Sequence, residues 1–269
     1  MHCNCSNRDL LALALRQCGS ALKARWTEET ASTNDDLKAL VRSAEAEVSV
    51  VLVADRQTAG RGTRGRTWTA PAVSVLLTAA VPLPEGLSDP SGLSLAAGAA
   101  CLDALSPLNP DVRLKWPNDI WVGNGKAAGL LCEIVRSRSG RLHAVAGIGV
   151  NIGIGSTPIA SADVPAAGLL QTLPTAERTG AVRVETAARL ACALETACRG
   201  FGPASLEALR GCWAEIDAFA GLRVSAVLPS GETLVGRTDG IGAHGELLFV
   251  DEGGRRTALT DARLRPLTA

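Results

Sequence analysis

Residues 48–54, VSVVLVA, form a β-branched apolar run that stops at a polar, glycine-rich stretch over 55–71. The run reads as a buried strand. The stretch after it reads as a loop, and a long one for a compact domain, a length that goes with function or mobility. Around this pair the chain predicts a mixed fold. Helical periodicity covers 8–24, and Ser32-Thr33-Asn34 followed by acidic residues is what a helix start requires, because such side chains satisfy free N–H groups and complement the helix dipole. Residues 73–81 read as a strand and 91–105 as an apolar helix opened by Ser91. The stretches 111–116, 127–136 and 142–150 read as strands. A connection rich in Pro, Gly and Ala (153–181) leads to helices over 182–200 and 203–213.

From Leu222 the texture changes. LRVSAVLP, ETLVGRTDGI, GELLFVD and RRTALT are short strands between glycine-containing turns, with no further helix. Strands and helices before that point mix without strict alternation. The fold class expected is therefore α/β (α+β): a mixed β-sheet with flanking helices over residues 1–219, then a small β-barrel-like module over 220–269.

Charge excludes one broad class of function. With 27 basic and 27 acidic residues the formal net charge is zero, so the whole chain carries no general pull toward nucleic acid or an anionic membrane. Of the basic residues only Lys23, Lys38, Lys115 and Lys126 are lysines, which draws attention to the places that kept an ammonium. The eight cysteines show no disulfide or metal-ligand spacing. Cys3 and Cys5 have no matching pair, and Cys101, Cys132, Cys192, Cys198 and Cys212 sit among apolar neighbours. There is no signal-peptide pattern and no apolar run of roughly 18 residues. A reduced, cytoplasmic protein is expected.

Four segments can carry chemistry. In QTAGRGTRGRTW (57–68), glycines permit close backbone approach and Arg61, Arg64 and Arg66 bring fixed charge with forked donors, which suits an anion. The spacing matches neither the GxxxxGK[ST] phosphate loop nor the dinucleotide fingerprint; a solvated turn is the bland alternative. KWPND (115–119) has the composition of an ordinary turn, but Asp119 could hold Mg²⁺ or a substrate nitrogen and Lys115 an anion. In GKAAGLLCE (125–133), Lys126 stands between glycines at the mouth of an apolar strand, placed to neutralise a carboxylate or phosphate. In GIGVNIG (147–153), alternate glycines suggest close approach of a ligand or a strand, and Asn151 offers a donor and an acceptor to a purine edge.

In this order and at these separations, with Ser32-Thr33-Asn34 ahead of them, the segments resemble the biotin protein ligase family over nearly all of 26–267. The stretch from Trp213 to Leu267 resembles that family's SH3-like barrel. The resemblance implies a ligase that activates biotin with ATP (Mg²⁺ accompanying the nucleotide) to biotinyl-5'-AMP and transfers biotin to a lysine of a biotin carboxyl carrier domain of acetyl-CoA or pyruvate carboxylase. It implies catalytic roles for Lys126, Arg61 and Asp119, with Asp119 orienting the acceptor lysine or assisting its deprotonation. Substrate contacts are implied for Ser32, Thr33, Asn34, Gln57, Gly60, Gly62, Thr63, Arg64, Gly65, Trp68, Asn118, Gly129 and Asn151, with no protein-held metal. Biotin is expected near Ser32, Thr33 and Gln57, its carboxylate and the phosphate near Gly60, Arg61, Lys126 and Gly129, and adenine near Trp68 and Asn151.

One position departs from the family pattern GRGRxGR: Thr63 stands where an arginine is usual. Looser retention of the adenylate and unselective lysine labelling are expected from it, with Arg64 available to compensate. A lipoate-type ligase of the same superfamily is the nearest alternative, although no segment resembles that family's RRxSGGGxVxHD. A DNA-binding repressor is disfavoured, since about 30 residues precede Ser32, too few for a winged helix-turn-helix. A catalytically dead module has only Thr63 to support it. A monomer and a homodimer are both compatible with the sequence.

Overall fold

The computed structural model describes residues 6–154 and 164–267; Cys3 and Cys5 lie outside them. Helix α1 (Asn7–Gln17) is capped by Ser6, whose Oγ accepts from Asp9 N. It ends before Gly19, which takes a positive φ of 72°, so the helix expected over 8–24 stops early. Lys23–Thr30 is instead strand β1, lying at the edge of a sheet and pairing in parallel with β2 (Val50–Gln57). A parallel pair needs a crossover, and helix α2 (Thr33–Ser43) supplies it. Edge placement lets β1 stay polar, which hid it from a search for apolar runs.

The chain continues through β3 (Val73–Pro82), α3 (Leu93–Leu105), β4 (Val112–Lys115), β5 (Asp119–Val122), β6 (Gly125–Arg136), β7 (Leu142–Gly153), α4 (Ala176–Arg199) and α5 (Pro203–Ile216). The seven strands form one sheet in the order β1-β2-β3-β7-β6-β5-β4, antiparallel after the first pair. Alternation along β2 divides the layers. Val51 and Val53 join the large core with α1, α3 and α4, whereas Val50 and Leu52 meet Leu37 and Val41 of α2 in a smaller cluster. Every residue of β3 is buried, as a strand covered on both faces requires. This arrangement sets the N-terminus of α2 over the sheet beside β7, where the candidate site lies.

A separate five-stranded antiparallel sheet closes the chain: β8 (Arg223–Val227), β9 (Thr233–Ile241), β10 (Leu247–Asp251), β11 (Arg256–Leu259) and β12 (Arg263–Pro266), in the order β11-β10-β9-β8-β12. The four-residue strands β5 and β12 were not expected from sequence. The two sheets share one core, since Phe219, Val224 and Phe249 belong to the same buried cluster as the seven-stranded sheet. At the junction Trp116 Nε1 donates to Gly245 O (2.9 Å), and the Asp217 carboxylate accepts from Phe219 N (3.0 Å) and Thr238 Oγ1 (2.8 Å). Burial nevertheless lifts the Asp217 carboxyl above its ordinary range.

The expectation of no disulfide is corrected. Cys18, just after α1, and Cys192 of α4 are paired. They stand 174 residues apart, and only the packing of α1 on α4 brings them together. Among the described residues no helix is long and apolar enough to cross a membrane.

Candidate functional site

The start of α2, the end of β2, and the middles of β6 and β7 enclose a cavity of about 420 Å³ beneath the 58–72 loop. Its wall includes Ser32, Thr33, Asn34, Gln57, Arg61, Gly62, Thr63, Trp68, Asn118, Lys126, Gly129 and Asn151. Four other expected residues, Gly60, Arg64, Gly65 and Asp119, are not part of that wall.

The part formed by α2 is a closed hydrogen-bond system. Thr33 N donates to Gln57 Oε1 (2.8 Å), the Thr33 and Thr78 hydroxyls lie 2.7 Å apart, and Thr78 Oγ1 donates to Asn34 Oδ1 (2.7 Å). Asn34 Nδ2 donates to Leu131 O (3.1 Å) and Glu133 Oε2 (3.2 Å). A buried side-chain network with every member partnered holds one geometry. Gly147 is explained by the same packing, because a Cβ there would lie 1.9 Å from Asn34 Oδ1. The alternate glycines of β7 therefore serve close approach.

The loop folds back on itself. Arg61 and Thr67 form an isolated antiparallel bridge, Gly62 N donates to Arg66 O (2.7 Å) and Trp68 N donates to Gly60 O (2.9 Å). At its tip a single 3-10 turn spans Thr63–Gly65. The Arg66 guanidinium donates to Thr63 O (3.3 Å) and Thr63 Oγ1 (3.1 Å), so the threonine ties down an arginine that faces the cavity. Trp68 returns the chain to the sheet and packs against β7; a Cβ on Gly149 would meet its indole at 2.4 Å. Gly60 is required by the same closure, since its Cβ would fall 2.7 Å from Trp68 O.

KWPND forms the β4–β5 hairpin, with a cis Trp116–Pro117 bond and Lys115 directly opposite Asp119 in register. That register puts the two side chains on one face. Asp119 Oδ2 lies 3.5 Å from Lys115 Nζ, and its Oδ1 lies 2.5 Å from Lys126 Nζ. Burial alone would raise the Asp119 carboxyl, but Lys126 and Lys115 outweigh it and hold the group below the usual carboxylate range. Burial also pulls the Lys115 ammonium down, against the opposing pull of Asp119. Lys126 reaches the cavity, its Nζ 5.4 Å from the Trp68 ring centroid. Asp119 stands behind it.

Asn151 is more constrained than its sequence suggested. Its Nδ2 donates to Lys126 O (3.3 Å) and Ala167 O (3.2 Å), which leaves only Oδ1 to offer. Asn151 Oδ1 and Trp68 Nε1 are buried with no hydrogen-bond partner among the described residues. One free acceptor and one free donor thus border the cavity. At its mouth Arg61 pairs with Asp35 (2.5 Å) and lies 3.6 Å from Glu133, and Lys38 bridges the same two carboxylates at 2.9 Å each. Arg66 was expected as a cation for an anion, whereas Asp35, Lys38, Thr78 and Glu133 were not singled out for the site. Spacing gives no sign of Thr78, a lone polar residue in an apolar strand. Lys38 carried a signal as one of the few lysines.

Among the described residues no group of three His, Cys, Asp or Glu is placed to hold an ion. The cavity can take an anion against Lys126, Arg61 and Arg66, and a polar bicycle or heterocycle against the fixed donors and acceptors of α2 and β2.

Comparison with known proteins gives a consistent picture. The sequence profile of the Biotin/lipoate A/B protein ligase family matches residues 26–151. The chain is 34% identical over 238 residues to the biotin–[acetyl-CoA-carboxylase] ligase of Mycobacterium tuberculosis, covering 86% of this chain and 84% of the relative. It is 31% identical to the bifunctional ligase/repressor BirA of Escherichia coli, over 82% of this chain and 67% of that one. Among solved structures, the Aquifex aeolicus biotin protein ligase in complex with biotin and ATP superposes with a TM-score of 0.70 at 26% identity, over 90% of this chain and 98% of that chain.

Proposed function

The chain belongs to the biotin protein ligase family, and we infer from this that its cavity joins biotin to ATP and passes biotin on to a protein lysine. The single observation that carries the assignment of roles is the convergence on one cavity of a fixed hydrogen-bonding pocket (Ser32–Asn34, Gln57) and a cationic wall (Lys126, Arg61, Arg66). The named relatives favour biotin over lipoate as the acid.

In the first step a carboxylate oxygen of biotin attacks the α-phosphorus of MgATP, the bond to the β-phosphate oxygen breaks, and pyrophosphate leaves. Two anions must meet, so fixed cations where charge accumulates are the main source of acceleration. Lys126 sits there with its ammonium aligned by Asp119. Arg61 and Arg66 supply forked donors to phosphate oxygens, Arg61 turning from Asp35, which its 40% side-chain exposure permits. Magnesium enters as part of the nucleotide substrate and is held by the phosphates. The adenine is placed against Trp68, with Asn151 Oδ1 left to accept from an exocyclic amino group.

In the second step the acceptor amine attacks the acyl carbon, the bond to the adenylate phosphate oxygen breaks, AMP leaves and the nitrogen passes its proton to solvent water. Asp119 lies behind Lys126, 2.5 Å from its Nζ and outside the cavity wall, so we assign it the positioning of Lys126 in place of the orientation or deprotonation of the acceptor lysine expected from sequence. The acceptor proposed is the biotin carboxyl carrier domain of acetyl-CoA or pyruvate carboxylase, with 1–219 as catalytic module and 220–269 as its C-terminal companion. We place the reaction in the cytoplasm.

The test is to incubate the protein with biotin, MgATP and a carrier domain, and to measure pyrophosphate and carrier-bound biotin. Both are expected. Adenylation with lipoate or octanoate alone would overturn the choice of biotin, and inactivity with every acid would overturn the enzyme.

A further inference from the structure

Arg64 is the one non-glycine residue with positive φ (58°) among the described residues, and it stands at the tip of the loop that roofs the cavity. A left-handed conformation is unfavourable for a residue with a Cβ and persists where surrounding contacts impose it. Here the hairpin itself imposes it: Arg64 and Gly65 (φ 70°) are the two central residues of a turn closed by Arg66 N donating to Thr63 O (3.3 Å), and such a turn takes positive φ at both. That turn directs the Arg64 side chain to the other sheet. The Arg64 guanidinium pairs with the Asp261 carboxylate and donates to Ala262 O (3.3 Å), both in the turn between β11 and β12. Its side chain is not part of the cavity wall, while its neighbours Thr63 and Arg66 are.

We propose that Asp261 is a positioning residue for the adenylate-forming site: with Arg64 it forms a clasp by which the C-terminal sheet holds the loop over the cavity. The proposal rests on the ligase reading above and adds a task for the C-terminal sheet that is separate from any docking of the acceptor. Arg61 ties the base of the loop to Asp35, while the hydrogen bonds nearer the tip run within 60–68, from Arg61 to Thr67 and from Arg66 to Thr63. They shape the hairpin without fixing its tip to the body. The Arg64–Asp261 pair and the carbonyl of Ala262 do that, at a separation of nearly 200 residues. When the clasp opens, the tip loses its anchor to the C-terminal sheet. Arg66 and Thr63 then lose their fixed place on the wall, and the bound adenylate can leave. The roles divide accordingly: Lys126 acts on bond formation and the clasp on retention.

The experiment compares wild type, Asp261→Asn, Arg64→Ala, the double variant, and the charge-exchanged pair Arg64→Asp with Asp261→Arg. Asp239→Asn, which removes another arginine–carboxylate pair of the C-terminal sheet (Arg256–Asp239, 3.1 Å), is the control. Preformed radiolabelled adenylate is chased from the protein, and the loop is probed in parallel by limited trypsin digestion at Arg61, Arg64 and Arg66. Either single substitution is expected to speed adenylate release about tenfold, with KM for ATP rising and single-turnover adenylation nearly unchanged. The double variant should add little, the exchanged pair should recover most of the retention, and the control should match wild type.

Release unchanged in Asp261→Asn, or single effects that simply add, would overturn the clasp. If the wild type makes no adenylate from any acid, the ligase reading falls and the clasp is still judged by trypsin. Faster cutting at Arg61 and Arg66 in Asp261→Asn would uphold the tether, and equal cutting would overturn it. Equal melting temperatures of Asp261→Asn and the control would separate loss of the tether from loss of fold.

Discussion

Replacing Asp119 by asparagine leaves Lys115 and Lys126 without the carboxylate they share. At an effective dielectric of about 20, unit charges at the observed 2.5 and 3.5 Å attract by about 7 and about 5 kcal/mol. Most of that is offset by the cost of removing three charged groups from water, and breaking a buried pair from one side costs about 3–5 kcal/mol net. Asp119 is 6% exposed and Lys115 8%, so solvent cannot replace the lost partner of Lys115, while Lys126 reaches the cavity and can be hydrated. We therefore expect about 3 kcal/mol of lost stability at pH 7, the lower end of that range.

The pH dependence identifies the cause. Because the folded Asp119 carboxyl is held below its unfolded value of 3.8, its contribution is complete above that pH and is lost as acid protonates it. In Asp119→Asn the deficit should shrink toward pH 10, where Lys115, already lowered by burial, sheds its proton and no unpaired charge remains buried. Urea unfolding followed by tryptophan fluorescence at pH 4, 7 and 10 measures this, since Trp116 and Trp121 flank the cluster. A loss under 0.5 kcal/mol at pH 7, or a deficit unchanged at pH 10, would refute the reasoning.

Lys126→Met should keep the fold and lower pyrophosphate formation about 10²–10³-fold, the usual effect of removing one preorganised donor of charge stabilisation; a loss below tenfold would move the catalytic charge to the arginines. Gly149→Ala drives a methyl into the Trp68 indole, a strain of about 1–3 kcal/mol, and should raise KM for ATP at least several-fold in steady-state assays. Thr63→Arg should reduce biotin labelling of bystander lysines, measured by blotting added albumin, and equal labelling would remove Thr63 as a cause of leakage. His143 is buried, its Nε2 accepting from Val48 N (3.0 Å) and its Nδ1 donating to Arg141 O (3.2 Å). Burial and the need for an acceptor nitrogen hold its folded pKa below the ordinary 6.5, so its contribution is full above that pH and is lost as pH falls. The melting temperature should drop between pH 7 and 5 in wild type and less in His143→Gln.

Much of the site was legible because its residues work through local rules. The capping residues Ser32–Asn34, the glycines of the loop and of β7, and Lys126 between Gly125 and Ala127 each announce themselves within a few positions. The apolar runs of β2, β3, β6 and β7 were equally plain, and β3, buried at every position, needs an unbroken hydrophobic sequence. The polar edge strand β1 and the four-residue strands β5 and β12 were hidden, because pairing rather than pattern makes them strands.

What the tertiary structure alone decided was which charges meet. No local spacing says that Asp119 faces two lysines, that Arg61 is held by Asp35 and Glu133, or that Asn151 spends its amide donors on backbone and keeps one acceptor. Nor could spacing reveal that Cys18 reaches Cys192, or that Arg64 leaves the cavity for Asp261. A side chain's local propensities fix its backbone and its face, which sequence records. Its electrostatic partner is set by the register and packing of elements far apart in the chain, and that exists only once the sheets have closed.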